Sequence, residues 1–220
     1  FFPLAFETVY LVKDGNLVND KKGGAVRTVD QQLFNLFTSV VGEEAVLEHV
    51  KEWRVFQNES SDLGAFVELI AGSEDWIVGV NRDSYDANYE QVVRSFVNLF
   101  VHEYAHILLF NKPEFETTFK NTFWTSSDLA HQAKVERASA SSRFTVMSHY
   151  FDNNPTRFVS DYATMNAEED MAETFLSFVL EGKQTGVNIK DKKILSFYKE
   201  SDLVKLRTQL RANLLLLNAL

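Results

Sequence analysis

"FVNLFVHEYAHILLF", residues 96–110, sets two histidines and a glutamate into a run that is otherwise almost wholly apolar. The spacing predicts one long helix over residues 89–110, stopped at "NKP", where Pro113 restricts Lys112 and forbids continuation. On such a helix His102 and His106 stand about 40° apart around the axis and one turn apart along it, so they point the same way. Glu103 is turned by about 100° from His102. A single histidine on an apolar face is ordinarily a core residue bonded to a carbonyl. Two histidines and a glutamate within five residues ask for more, because burying three ionisable groups without partners costs several kcal/mol. A metal removes that cost. Two neutral imidazoles at this spacing occupy two vertices of a tetrahedral zinc site, and Glu103 flanks the place where a bound water sits.

The helix stands at a boundary in the chain. Before it, "FETVYLVKDGNLV" reads as a hairpin turning at Asp14-Gly15, and "TVDQQLFNLFTSVVG" as a helix ended by Gly42. "EWRVFQN", "GAFVELIAG" and "DWIVGVNRD" then read as three short strands in an antiparallel meander. After it the chain turns helical. "SSDLAHQAKVERAS" opens with Ser and Asp suited to capping, "NAEEDMAETFLSFVLEG" starts at the cap candidate Asn166, and residues 189–220 read as two helices. Strands first and helices second argue for an α+β fold rather than alternating α/β.

The chain has no cysteine, so any metal must be held by His, Asp or Glu. A catalytic zinc site takes three protein ligands and keeps a fourth position open. The third ligand is sought among His131, His149 and the acids of "NAEEDMAETF", while His49 reads as surface. Glu169 and Glu173 are four residues apart and share one helix face, so one can bind metal while the other fixes the tautomer of a ligating histidine. Glu168 reads as a charge favoured by the helix N-terminus.

"HEYAH", followed from 63 residues after His106 by Glu169 within "FVSDYATMNAEEDMAETFLSFV", resembles the gluzincin metallopeptidases. The resemblance is to the anthrax-lethal-factor-like and Pro-Pro-endopeptidase-like branch, and closer still to the zinc-binding metallopeptidases of bacterial secreted proteins and lipoproteins. It covers about 30 residues in two blocks. It implies a zincin-like α+β fold in a single metallopeptidase domain. A mostly antiparallel sheet packs on the active-site helix over residues 1–110, and a helical lobe over 111–220 carries the third ligand. It also implies one Zn²⁺ held by His102, His106 and Glu169, with Glu103 as general base, Glu173 behind the ligands, and Tyr162 as a phenol near the substrate carbonyl. Met165 departs from the Thr or Ser of the toxin-like branch, and Tyr104-Ala105 from a common Phe-Gly or Phe-Ala.

The activity so implied is zinc-dependent hydrolysis of peptide bonds in a protein or peptide substrate. Zincins lay the peptide along an edge strand just before the active-site helix, which makes Trp76, Ile77, Val78, Gly79 and Val80 of "DWIVGVNRD" the expected substrate-binding residues. Tyr85 and Tyr89 could line the cleft or merely pack. The alternative is a non-catalytic zinc-binding or peptide-binding protein on the same fold. The stretch "ERASASSR", between the ligand blocks, suits a solvated helix or a cover segment.

A net charge of −9 on 220 residues leaves no Lys and Arg cluster for a phosphate backbone, so nucleic acid is not an expected partner. No apolar run reaches the roughly 18 to 20 residues of a membrane span. A chain beginning at Phe1, without cysteine, fits an extracytoplasmic protein, secreted or surface-anchored, whose targeting segment has been removed.

Overall fold

Asp14 and Gly15 do turn a hairpin in the computed structural model, which describes residues 6–19, 24–57 and 63–220. Strand β1 (Phe6–Lys13) pairs antiparallel with β2 (Asn16–Asn19). The two turn residues take φ of 48° and 71°, the left-handed pair whose twist matches that of the flanking strands. Helix α1 (Thr28–Val41) ends at Gly42, where a φ of 99° suits glycine alone. A second helix that the spacing did not announce, α2 (Glu43–His49), follows at once. Strands β3 (Val50–Phe56), β4 (Ala65–Leu69) and β5 (Trp76–Asn81) then lead into α3 (Glu90–Phe110).

The fold is α+β, with a sheet of order β2-β1-β3-β5-β4. Three of its pairings are antiparallel, but β3 and β5 run parallel, so the last three strands are not a meander. Burial explains the order. All six residues of β5 are buried, the pattern of a strand covered on both faces, whereas β4 mixes buried with exposed positions and suits the outside.

That order corrects the placement of substrate along β5. Trp76, Ile77, Val78, Gly79 and Val80 belong to an inner strand, hydrogen-bonded to β3 on one side and β4 on the other, so β5 has no edge to offer an extended peptide. Gly79 has a packing role instead. Its register partner on β4 is Phe66, and a Cβ on Gly79 would sit only 2.0 Å from that ring. Gly79→Ala is expected to destabilise the sheet by about 1–3 kcal/mol through overpacking, read as a lower urea midpoint, and Phe66→Ala in the same chain should relieve part of it. A Gly79→Ala chain as stable as the parent would refute that role.

Two compact units partition the chain, one reaching to Ile107 and taking in Ala212–Leu220, the other Leu108–Arg211. In the first, Trp53 of β3 is fully buried among aromatic rings. Its ring centroid lies 5.4 Å from Phe34 and 5.6 Å from Phe37 of α1, and 6.2 Å from Phe100 of α3. Phe96, one turn before Phe100, meets Tyr85 edge to face at 5.1 Å, so this tyrosine packs against the start of α3. These contacts hold α3 by one face, leaving the angular position of every later residue set by the helical period.

The second unit contains α4 (Pro113–Phe123), α5 (Ser126–Arg137), α6 (Ala140–Asn153), a 3-10 turn at Tyr162–Thr164, α7 (Ala167–Leu180), α8 (Ile189–Phe197) and most of α9 (Ser201–Leu216). Pro113 opens α4 at its first turn, where a missing N–H costs nothing, so it both ends one helix and starts the next. Thr125, rather than Ser126, caps α5, in a reciprocal box with Asp128. "ERASASSR" holds the break between α5 and α6. The core is a cluster of Phe119, Phe175, Phe178 and Phe197. No helix among the described residues is long and apolar enough to cross a membrane.

Candidate metal centre

On α3 the two histidines lie as the spacing requires. His102 is buried and His106 half-buried, with their Nε2 atoms 3.2 Å apart and ring centroids separated by 4.9 Å. Ligand atoms at about 2.0–2.1 Å from a tetrahedral zinc stand about 3.3 Å from each other, so the pair already has the separation that a shared ion needs. Glu103 is buried beside them at 6% exposure. The flanking residues are packed into the interior. Ala105 and Ile107 are fully buried, and Tyr104 is so enclosed that burial, aided by Glu48 and Glu44 of α2, pushes its phenol up to about 12. Tyr104 is therefore a neutral packing residue.

The second motif block begins where Asn166 caps α7, its side-chain oxygen accepting from the Glu169 N–H at 2.8 Å. The cap places Glu169 in the first turn, and Glu173 follows one turn later; both are half-buried. The neighbouring acid behaves differently. Asp170 is fully buried, and its carboxylate accepts from Lys193 Nζ at 2.6 Å and Trp124 Nε1 at 2.8 Å. Asp170 and Thr174 thus turn inward, while Glu169 and Glu173 stay half-buried. Burial pushes the Asp170 carboxyl up to about 6 even against the pull of Lys193, and the same burial lowers the Lys193 ammonium.

His102, His106 and Glu169 make a group that could hold a metal ion, one ligand atom from each lying within 4.8 Å of the others. Two nitrogens and a carboxylate oxygen are a donor set suited to zinc.

The other histidines have different places. His149 is exposed on α6. His131 is buried, stacked on the Tyr150 ring at 3.9 Å, with its Nε2 3.3 Å from Thr164 Oγ1. Burial, then Lys134, lowers its pKa, so it sits neutral in the packed unit. The Tyr150 hydroxyl in turn donates to Asp128, which also accepts from Arg157 at 2.6 Å. Burial alone would raise the Asp128 carboxyl, but the bonds from Thr125, Tyr150 and Arg157 outweigh it and hold it below the ordinary aspartate range. A depressed folded pKa contributes stability above the unfolded value of about 3.9 that is lost as pH falls through the folded one. Asp128→Asn is therefore expected to cost about 1–3 kcal/mol at pH 7, with the gap from the parent closing below about pH 4 in thermal melts. A gap that stays constant down to pH 3 would show that charge plays no part.

The 3-10 turn carries Tyr162, whose side chain is 38% exposed, while Ala163 and Thr164 are buried. Three residues here escaped notice in the sequence: Ser160, Arg157 and Lys193. Asp128, read only as a capping residue, also binds Tyr150 and Arg157. Asp170 and Ser160 do stand inside the quoted motif block, but nothing local marks Lys193, one of several lysines in "KDKK", as fully buried. Compared with family models, with curated proteins and with solved structures, the chain gives no match.

Proposed function

We propose that this chain is a zinc-dependent metallopeptidase acting on protein or peptide outside the cytoplasm. The observation that carries the reading is the group of His102, His106 and Glu169, with a buried Glu103 one residue from the first ligand. A zinc ion there supplies Lewis acidity toward the scissile carbonyl and makes water acidic enough to deprotonate near neutral pH. Glu103 takes the proton from the attacking water and returns it to the departing amine. The Tyr162 phenol donates to the carbonyl oxygen as negative charge develops on it. Glu173 accepts from the outer ring nitrogen of a ligating histidine and fixes its tautomer. An extended substrate pairs with β4, the last strand in the sheet order, rather than with β5.

The test is zinc uptake followed by hydrolysis. The purified chain is expected to bind one zinc. At a free concentration a hundredfold above its Kd, that zinc should raise stability by about 2.7 kcal/mol in a thermal or urea melt. His106→Ala and Glu169→Ala should each weaken zinc binding by at least tenfold, and a mixed peptide library should be cleaved only by the loaded chain. Substoichiometric zinc with a melt indifferent to chelator would sink the metal reading, and tight zinc without cleavage would sink the peptidase reading.

A further inference from the structure

Ser160 uses both capacities of one hydroxyl. Its Oγ donates to Glu173 Oε2 at 2.6 Å, and the same oxygen accepts from the Ala163 N–H at 3.1 Å. The two bonds join different elements of the second unit. One end is the acid on α7; the other is the backbone of the 3-10 turn, one residue after Tyr162. Other bonds of the turn are local or run to α5 and α6, the Thr164 hydroxyl lying 3.5 Å from Met147 O. The Tyr162 N–H is bound by Asp161 Oδ1 at 2.8 Å, and the buried Thr164 hydroxyl donates to Asp161 O at 2.7 Å and lies 3.3 Å from His131 Nε2. Thr164 and His131 therefore seat the turn against α5. Ser160 thus ties the turn to α7, one bond at each end.

We infer that Ser160 is a positioning residue that fixes the backbone of the Tyr162 turn relative to Glu173, and so sets where the Tyr162 phenol is presented. The inference rests on the metallopeptidase reading for its consequence in catalysis, though not for the bonds themselves. Alanine at 160 removes the acceptor from the N–H of Ala163, a fully buried residue, and takes one donor from Glu173. A group that must act within a fraction of an ångström of the reacting carbonyl is sensitive to such a loosening, even when the fold survives it.

Two measurements on Ser160→Ala separate the inference from the reading beneath it. In the metal-free chain, hydrogen exchange of the Ala163 amide is expected to accelerate by about tenfold or more, with Phe175 in the middle of α7 unchanged; Ser160→Thr, which keeps the hydroxyl, should restore protection. In the zinc-loaded chain kcat is expected to fall by about tenfold with KM within about twofold. In a Tyr162→Phe background the same change should alter kcat by less than about twofold, because its effect passes through the phenol. Unchanged exchange at Ala163 overturns the inference whether or not the chain cleaves peptides, and so do additive losses in the double variant. A parent chain without zinc-dependent cleavage overturns the functional reading; faster exchange would then mark Ser160 as a staple of the fold, and its role in catalysis would fall with the reading.

Discussion

Glu103→Gln is expected to lower kcat/KM for peptide cleavage by about 10²- to 10⁴-fold while leaving the fold and zinc uptake intact. The change is nearly isosteric, so the buried position keeps its packing and its ability to hydrogen-bond. It removes only basicity. Glutamine can still orient a water, but it has no proton-accepting form near neutral pH, and both transfers assigned to Glu103 are lost together. His102 and His106 are untouched, and their Nε2 separation comes from the helix and not from Glu103. Isothermal titration with zinc and a cleavage assay on one preparation read the two properties apart. Full activity in the variant would remove Glu103 from the chemistry. Lost zinc binding would instead show that the carboxylate serves the metal.

Lys193→Met is expected to cost about 3–5 kcal/mol, the largest stability effect predicted for a single replacement in the second unit. Lys193 and Asp170 are both fully buried, and the ammonium also lies 4.0 Å over the Phe158 ring. Removing the lysine strands the carboxylate on Trp124 Nε1 and the longer Thr174 bond. Such a carboxyl escapes by taking up a proton. Its folded pKa, already raised, rises further above the unfolded value, so its contribution to stability is present at low pH and is lost as pH climbs through the folded pKa. The variant should therefore lose more stability at pH 8 than at pH 5. Replacing both partners, Asp170→Leu with Lys193→Met, should cost less than Lys193→Met alone, because no charge is left without its counterpart. Urea midpoints at the two pH values test both statements. A single variant within about 1 kcal/mol of the parent at pH 8 would show the pair to be energetically idle.

The aspartate in that pair is the residue after Glu169, which links stability to the site. Its inward anchoring fixes the rotation of α7, and with the Asn166 cap it leaves Glu169 and Glu173 together at half-buried positions. Lys193 is thus a structural residue whose partner adjoins the proposed ligand Glu169. Its loss should weaken zinc binding less than loss of Glu169 itself.

Sequence spacing made the ligand elements legible because the interactions that shape them are short-range. The helical period puts His102 beside His106 and Glu169 beside Glu173, wherever those helices pack. Asp14-Gly15, Gly42 and Asn166 act within four residues of themselves, and each turn, stop or cap stands where it was read. The three partners that went unread are bonded across longer separations: Ser160 to Glu173 over 13 residues, Lys193 to Asp170 over 23, and Arg157 to Asp128 over 29. No local pattern records such pairs.

What the sequence by itself determined is therefore the chemistry that can be gathered: two imidazoles on one helical face, a carboxylate beside them, and a second helix with two acids in register. Tertiary structure alone decided the rest. It put β5 inside the sheet, because a strand apolar on both faces must be covered twice, and left β4 as the outer strand beside it. It buried Asp170 on a lysine that nothing nearby in sequence singled out, because the cost of burying a charge is settled only when its partner from another helix arrives.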